Sequence, residues 1–316
     1  MGSMRVLFMG TSNFAVPTLR ALIASRHEVI GVVTQPDRPS GRGLGLTFSP
    51  VKTVALDMGL SIFQPEKVSS PDFVETVRAL SPDVIVVAAF GQILSQDLLE
   101  IPRYGCLNVH ASLLPKYRGA APVSHALFDG ETRTGVTIML MDAGLDTGPI
   151  LLQREVEIMP EDNQGTLESR LADLGANLLV EALDRLEEGT ITPVPQDDSL
   201  ATKAPSLKRE QCQIDWTKPA TRIVNLVRGC TPRPGAYTWW KGKELRVWRC
   251  RVCDNTPGAS PGEIVSVGKD GIVVASGAGS VLLEEVQPEN RKRMTAADFA
   301  RGQHITPGMH FSSEPG

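Results

Sequence analysis

Six apolar residues in succession, Val84-Ile-Val-Val-Ala-Ala89, give the strand they form no polar face to turn to water. A strand of that kind needs cover on both faces, which a parallel sheet with helices on each side provides. The neighbouring sequence fits. Val6 to Met9 reads as a short buried strand ending at Gly10, and Val29 to Thr34 as a second. Between them Val16, Leu19, Leu22 and Ile23 recur at helical spacing. Leu107 to His110 and Val136 to Met141 supply further strands. Strands alternating with helices predict an α/β fold built on an open, doubly wound, Rossmann-like sheet. Such sheets bind ligands beyond the carboxyl ends of their strands. The turn at Phe90-Gly91 and the strand end at His110 both fall there.

A long amphipathic helix follows. Leu167, Leu171, Leu174, Leu178, Leu179, Leu183 and Leu186 keep a helical period, and Gly189 stands where a stop is expected. Residues 190–207, rich in Pro, Thr, Ser and Asp, read as a linker. Beyond it the pattern changes. Ala220 to Gly229 suits a helix, and short strand-like runs (Glu244–Trp248, Gly262–Val267, Gly271–Ala275, Ser280–Glu284) are set apart by Gly-rich turns. That spacing predicts a small antiparallel β-barrel, OB-like in type. With 316 residues, two domains are the natural expectation: 4–189 and 208–316, joined by the linker.

Charge is divided unevenly between them. Residues 1–200 hold 15 Lys and Arg against 25 Asp and Glu, whereas residues 201–316 hold 17 against 11. A basic second domain on an acidic first one suits an anionic partner. No apolar run reaches the roughly 20 residues of a membrane span, and the N-terminus has no signal-peptide pattern. Met1-Gly2-Ser3 ahead of Met4 is set aside as a cloning remnant. Five scattered cysteines, odd in number, suit a reducing cytoplasm.

The chemistry concentrates in Asn108-Val-His-Ala-Ser-Leu-Leu-Pro115 and, further on, Asp142-Ala-Gly-Leu-Asp-Thr-Gly148. These segments offer a carboxamide, an imidazole and a carboxylate, with no nucleophile of their own. Two residues apart on a strand, Asn108 and His110 share a face. Their N–H groups side by side make a pair of donors for an oxyanion. Asp146 is placed either to orient the imidazole or to accept a proton. Ser112 lies in no Gly-x-Ser-x-Gly elbow, and Cys106 has no matching pattern. Direct acyl transfer between two substrates is the reaction these groups suit. Singly, each has a plainer role as turn former, structural histidine or cap; the ordered combination carries the chemistry. Gly41-Arg-Gly-Leu-Gly45 lacks the third glycine of a dinucleotide fingerprint and reads as a loop, not a phosphate cradle. Cys250-Arg-Val-Cys253 is a single C-x-x-C without a second ligand pair, so no metal is expected.

Taken in order, the strand-end Asn-x-His, the Ser-Leu-Leu-Pro turn and the aspartate of Gly-Leu-Asp-Thr-Gly resemble the 10-formyltetrahydrofolate-dependent formyltransferases. Thr34-Gln-Pro-Asp-Arg-Pro-Ser-Gly-Arg42-Gly, Pro115-Lys-Tyr-Arg-Gly-Ala-Ala-Pro122 and Ile214-Asp-Trp216 extend the resemblance from about Arg5 to about Phe299. It implies a formyl donor, 10-formyltetrahydrofolate, and an acceptor, the α-amino group of methionine esterified to initiator tRNA. It implies that Asn108, His110 and Asp146 are catalytic, and that Ser112, Leu113, Leu114 and Pro115 line the folate pocket. Phe90, Gly91 and Ile93 match a Tyr-Gly-x-Ile segment that walls the pterin, with Phe90 lacking the usual hydroxyl. Pro36 to Ser49 resembles an insertion that contacts the tRNA acceptor end, with Arg42 as its arginine. Leu44-Gly45-Leu46 stands where many relatives carry lysines. A cytoplasmic monomer without membrane contact is expected.

The nearest rival keeps donor and fold and changes the acceptor to an amino-sugar nucleotide. Thr34-Gln-Pro-Asp-Arg-Pro, and the lack of a second large dehydrogenase-like domain, favour tRNA. Hydrolysis of the donor is disfavoured by the attached second domain. A non-catalytic RNA-binding protein is disfavoured by the intact Asn108, His110 and Asp146.

Overall fold

The structure, a computed structural model, describes residues 2–40, 45–253, 258–312 and 314. The strands are β1 (Arg5–Gly10), β2 (Glu28–Val33), β3 (Arg38–Ser40), β4 (Gly45–Thr47), β5 (Ile62–Phe63), β6 (Val84–Ala88), β7 (Cys106–His110), β8 (Arg133–Leu140) and β9 (Ile150–Glu157). They continue with β10 (Ala236–Trp240), β11 (Lys243–Cys253), β12 (Ile264–Gly268), β13 (Gly271–Ala275), β14 (Ser280–Pro288) and β15 (Met294–Thr295). The helices are α1 (Ala15–Ala24), α2 (Pro50–Asp57), α3 (Pro71–Leu80), α4 (Gln96–Leu99), α5 (Pro122–Asp129), α6 (Gln164–Glu187), α7 (Ala220–Cys230) and α8 (Ala296–Gln303). Two compact units result. One comprises Met1–Gly119, Arg133–Glu157 and Glu168–Ala204; the other comprises Ala120–Thr132, Ile158–Leu167 and Pro205–Gly316.

The first unit is a seven-stranded sheet in the order β5-β2-β1-β6-β7-β8-β9. All five residues of β6 are buried, as its unbroken apolar run requires. Strands β5 to β7 along that order are parallel. β8 and β9 are antiparallel, so the doubly wound pattern ends at β7. From β1 the chain winds outward to β2 and β5, then returns to β6 on the other side of β1, which makes the gap between β1 and β6 a switch point. On α6, Leu167, Leu171, Leu178, Leu179 and Leu183 are buried. A Cβ on Gly175 would lie 2.7 Å from Val109 Cγ1 and 3.2 Å from Val136 Cγ1. Glycine there lets the helix lie directly against β7 and β8.

The segment read as a linker has fixed partners in this unit. Val194 and Ile150 exchange both backbone hydrogen bonds at 2.8 Å, Arg118 N–H donates to Thr202 O at 2.9 Å, and Ala204 N–H donates to Arg118 O at 2.7 Å. The Gly-rich stretch after Pro36 is flanked by a short antiparallel ribbon, β3 on β4. At its base the Lys52 amine pairs with Asp37 and donates to Gln64 Oε1 at 2.9 Å.

The second unit is an antiparallel sheet, β10-β11-β14-β13-β12, with β15 beside β14. Its two outer strands, β10 and β12, are both met by residues 309–312. Ile264 N–H donates to Met309 O at 2.7 Å and Phe311 N–H to Gly262 O at 2.9 Å, while Trp239 and Ser312 exchange a pair at 3.0 Å. One short segment thereby covers the edges that would otherwise expose unpaired backbone. β10, β15 and α8 had no counterpart in the sequence reading. Inside, the Phe311 ring stacks on Trp216 (centroids 6.0 Å) and meets Trp240 edge-on (5.3 Å).

Phe311 is 4% exposed, so Phe311→Ala removes both ring contacts and the anchor of the covering segment. The expected loss is about 3–5 kcal/mol of this unit's stability, read from urea unfolding by tryptophan fluorescence. A loss below about 1 kcal/mol, within the range of an exposed substitution, would mean the segment is not integral to the core.

Candidate active site

β7 carries two of the site's three polar groups. Val109 faces α6 through the space left by Gly175, so Asn108 and His110 lie on the opposite face of the strand. Because β8 is antiparallel to β7, with Leu140 opposite Leu107, the chain leaves β8 beside the start of β7. The connection to β9 then folds back over the face that carries Asn108 and His110. The fold-back is tight. Met141 N–H donates to Cys106 O at 2.7 Å and Leu140 N–H to Pro149 O at 2.9 Å. Asp142 Oδ1 accepts from Gly144 N–H at 2.9 Å and from the Thr147 hydroxyl at 2.6 Å. A Cβ on Gly148 would sit 1.8 Å from Leu140 O, which leaves room only for glycine.

Asp146 enters from this loop with φ +54°. Asn108 Nδ2 donates to its Oδ1 at 3.4 Å, Gly119 N–H donates to Oδ2 at 2.8 Å, and His110 Nδ1 stands 3.7 Å from Oδ2. The side chains of His110 and Asp146 are 7% and 12% exposed. His110 Nε2 lies 3.0 Å from Tyr117 O. A carbonyl oxygen only accepts, so Nε2 carries the proton, and in the neutral ring Nδ1 is then bare. In that tautomer Nδ1 and the facing carboxylate oxygen are both acceptors. The place of His110 beside Asn108 on the strand suggests an oxyanion donor. In this geometry Nδ1 can donate only after it has gained a proton.

The Ser112–Pro115 turn is tied to the strand opposite His110. Thr137, which pairs with His110 across the sheet, accepts Leu114 N–H at 3.1 Å and donates to Ser112 O at 2.7 Å. Gln153 Nε2 donates to Leu114 O at 2.8 Å. Ser112 is fully buried, and its hydroxyl donates to Lys116 O at 2.6 Å. Leu114 is buried, whereas Leu113 and Pro115 are partly accessible. At the end of β6, the Thr11 hydroxyl donates to Phe90 O at 2.9 Å, and Gln35 Nε2 to Phe90 O and Gly91 O at 3.2 and 3.1 Å. The Phe90 ring belongs to the core, Gly91 is exposed, and Ile93 is 86% exposed. Arg42 lies outside the described residues.

Four groups around Asp146 escaped the sequence reading. Gly119 and Tyr117 supply main-chain partners from the Pro115–Pro122 segment, whose resemblance was visible but whose roles were not. Gln196 and Arg118 brace the Asp146 loop, and no local pattern marks Gln196 as more than a polar residue in a Pro-rich stretch. Cys106, two residues before Asn108, is buried, and burial pushes its thiol up to about 12. Among the described residues, no three His, Cys, Asp or Glu side chains cluster as a metal site would require. Among them, too, no helix is long and apolar enough to cross a membrane.

Comparison with known proteins places this geometry in context. The formyl transferase family model matches residues 4–183, and the model of the formyl transferase C-terminal domain matches residues 206–304. A methionyl-tRNA formyltransferase of Geobacter metallireducens is 52% identical over 98% of this chain and 99% of its own. That of Bacillus licheniformis is also 52% identical, over 98% of each. Among solved structures, an N-formyltransferase from Helicobacter canadensis, in complex with folinic acid and dTDP-3-aminofucose, superimposes with a TM-score of 0.69 at 17% identity. It covers 90% of this chain and all of its own. HypX from Aquifex aeolicus, in complex with tetrahydrofolic acid, superimposes at 0.66 and 19% identity, over 95% of this chain and 47% of its own. At these identities the two structures share the fold alone.

A thiol as buried and weakly acidic as that of Cys106 is inert. In native protein at pH 8, iodoacetamide should leave Cys106 unmodified, while the same residue reacts in denaturant. Peptide mass spectrometry reads both, and native labelling at the unfolded rate would contradict its placement.

Proposed function

The chain belongs to the formyl transferase family, and we propose that Asn108, His110 and Asp146 are the groups with which it carries out the family's reaction. The enzyme transfers the formyl group of 10-formyltetrahydrofolate to the α-amino group of methionyl-initiator tRNA. The products are N-formylmethionyl-tRNA and tetrahydrofolate. The observation that carries the site assignment is the convergence of an amide and an imidazole on one carboxylate, at 3.4 and 3.7 Å.

The amine must lose a proton as its nitrogen bonds to the formyl carbon. The space between His110 Nδ1 and Asp146 Oδ2 is where that proton is best held, because it turns two facing acceptors into an ion pair. Asn108 Nδ2 supplies an N–H to the formyl oxygen as charge builds on it. Once charged, His110 has both N–H groups engaged, Nε2 with Tyr117 O and Nδ1 with Asp146, so it acts on the formyl oxygen through its positive charge. The bond from the formyl carbon to N10 breaks, and the stored proton returns to that nitrogen. The overall exchange consumes no proton and needs no covalent enzyme intermediate.

The donor's ring system suits the surfaces beside these groups. The Ser112–Pro115 turn presents Leu113 and Pro115. The segment at Phe90, Gly91 and Ile93 presents an exposed aliphatic side chain and backbone groups held in place by Thr11 and Gln35. Leu114 and Ser112 act from beneath, by fixing the turn. Arg42 is assigned to the acceptor end of the tRNA on its position after Pro36. In the second unit, the Arg293 guanidinium lies 3.7 Å over the Trp248 ring, and Lys241 lies 5.3 Å from the Trp240 ring centroid. Cations braced on aromatic faces suit a phosphate backbone. Each unit buries a core of its own, which supports a monomer, and the part played in translation supports a cytoplasmic location. The amino-sugar acceptor finds support only in structural relatives below 25% identity.

Asp146→Asn keeps the shape of the side chain and removes its basicity. It should lower kcat by about two to four decades, with the unfolding midpoint unchanged. Asn108→Ala should cost about two to three decades. Formyl transfer is measured with methionyl-tRNA, with an amino-sugar nucleotide and with no acceptor. Near-normal turnover by Asp146→Asn would remove that residue from the mechanism, and preference for the sugar would overturn the acceptor.

A further inference from the structure

Gln196 holds the loop of Asp146 through both ends of its amide. Its Nε2 donates to Asp146 O at 2.9 Å and to Gly148 O at 2.7 Å, on either side of Thr147. Its Oε1 accepts from Arg118 Nε at 3.1 Å and Arg118 Nη2 at 2.8 Å. The guanidinium also reaches Asp198 Oδ1 at 2.7 Å. The next residue, Gly119, donates its N–H to the Asp146 carboxylate itself. One short chain of contacts therefore grips Asp146 twice, by its backbone through Gln196 and by its side chain through Gly119.

Few side chains can fill this position. The two carbonyls call for two N–H donors and the guanidinium for an acceptor, and a carboxamide has both. A glutamate would keep or strengthen the contact with Arg118 but would turn oxygens toward two carbonyls. An asparagine is one methylene short. Asp146 sits at φ +54°, its carboxylate held by Asn108 and Gly119 and its carbonyl by Gln196, and a displacement of about 1 Å in a reacting group can cost around a hundredfold in rate.

We infer that Gln196, seated on Arg118, is a positioning residue for formyl transfer: it sets the direction of the Asp146 carboxylate against His110 and leaves substrate binding to other groups. The inference rests on Asp146 being the proton-accepting partner. It assigns function to a segment that has the composition of a connector.

The test compares Gln196→Glu, Asp146→Asn and the double variant in the full-length enzyme, with kcat, the KM of each substrate and urea unfolding measured for each. Gln196→Glu should lower kcat about tenfold or more. Both KM values and the unfolding midpoint should stay near those of the wild type, because the ion pair with Arg118 replaces the lost donors in stability but not in direction. In the Asp146→Asn background the same change should add nothing. If Gln196→Glu fails to fold, Gln196→Ala carries the same measurement of kcat. Wild-type kcat in a folded Gln196 variant, with Asp146→Asn inactive, overturns the positioning role alone. A second, equal drop in the double variant also overturns it, since Gln196 would then act other than through Asp146. Wild-type kcat in Asp146→Asn overturns the reading of Asp146 beneath it.

Discussion

The Asp146 carboxylate is the meeting point of three pieces of chain. The end of β7 reaches it through Asn108, the 117–119 turn through the Gly119 N–H, and the β8–β9 loop supplies it. At 12% exposure a carboxylate has lost most of its water, and each hydrogen bond it regains from the protein is worth about 1.5–3 kcal/mol. His110, on the same strand face as Asn108, stands just beyond hydrogen-bond range of the same oxygen that Gly119 holds. Without the carboxylate, the imidazole and the amide would be two unrelated side chains on a strand.

The change from parallel to antiparallel pairing at β7 makes this convergence possible. A parallel crossover would return the chain through a helix packed on the sheet, to the amino end of the next strand. An antiparallel neighbour returns it beside the start of β7, and the following loop must double back over the strand. The close approach of Gly148 to Leu140 is the geometric cost of that return. The site consequently lies along the face of the strand's last three residues, slightly inside the carboxyl edge where an open α/β sheet ordinarily binds its ligands. The neighbouring Phe90 turn, at the end of β6, does occupy that edge.

Much of this was legible in the residues. The run Val84–Ala89 demanded a central parallel strand, and β6 is one. The helical period of the leucines located α6, and the two-residue spacing put Asn108 and His110 on one face. What escaped had local signals too short to set an element by themselves. β9 alternates only weakly, with exposed Gln153, Arg154 and Glu155 at its centre, and its pairing depends on β8 across the sheet. β10 and α8 bury residues against a core assembled from distant segments, including Trp216 and Phe311. Gln196 is a common polar residue among prolines, and only the fold discloses that its amide lies under Asp146. The ring orientation of His110 was equally hidden, because it depends on the Tyr117 carbonyl, seven residues away on a turn.

That orientation carries the central claim, that the neutral His110 ring keeps its proton on Nε2 and turns a bare Nδ1 to Asp146, where the amine's proton is received. Nitrogen-15 NMR of the neutral imidazole, at a pH above its titration, tests it most directly. A protonated, pyrrole-type Nε2 together with an unprotonated, pyridine-type Nδ1 is the predicted pair of resonances. A ring protonated at Nδ1 and bare at Nε2 would contradict it, because the slot beside Asp146 would already be filled.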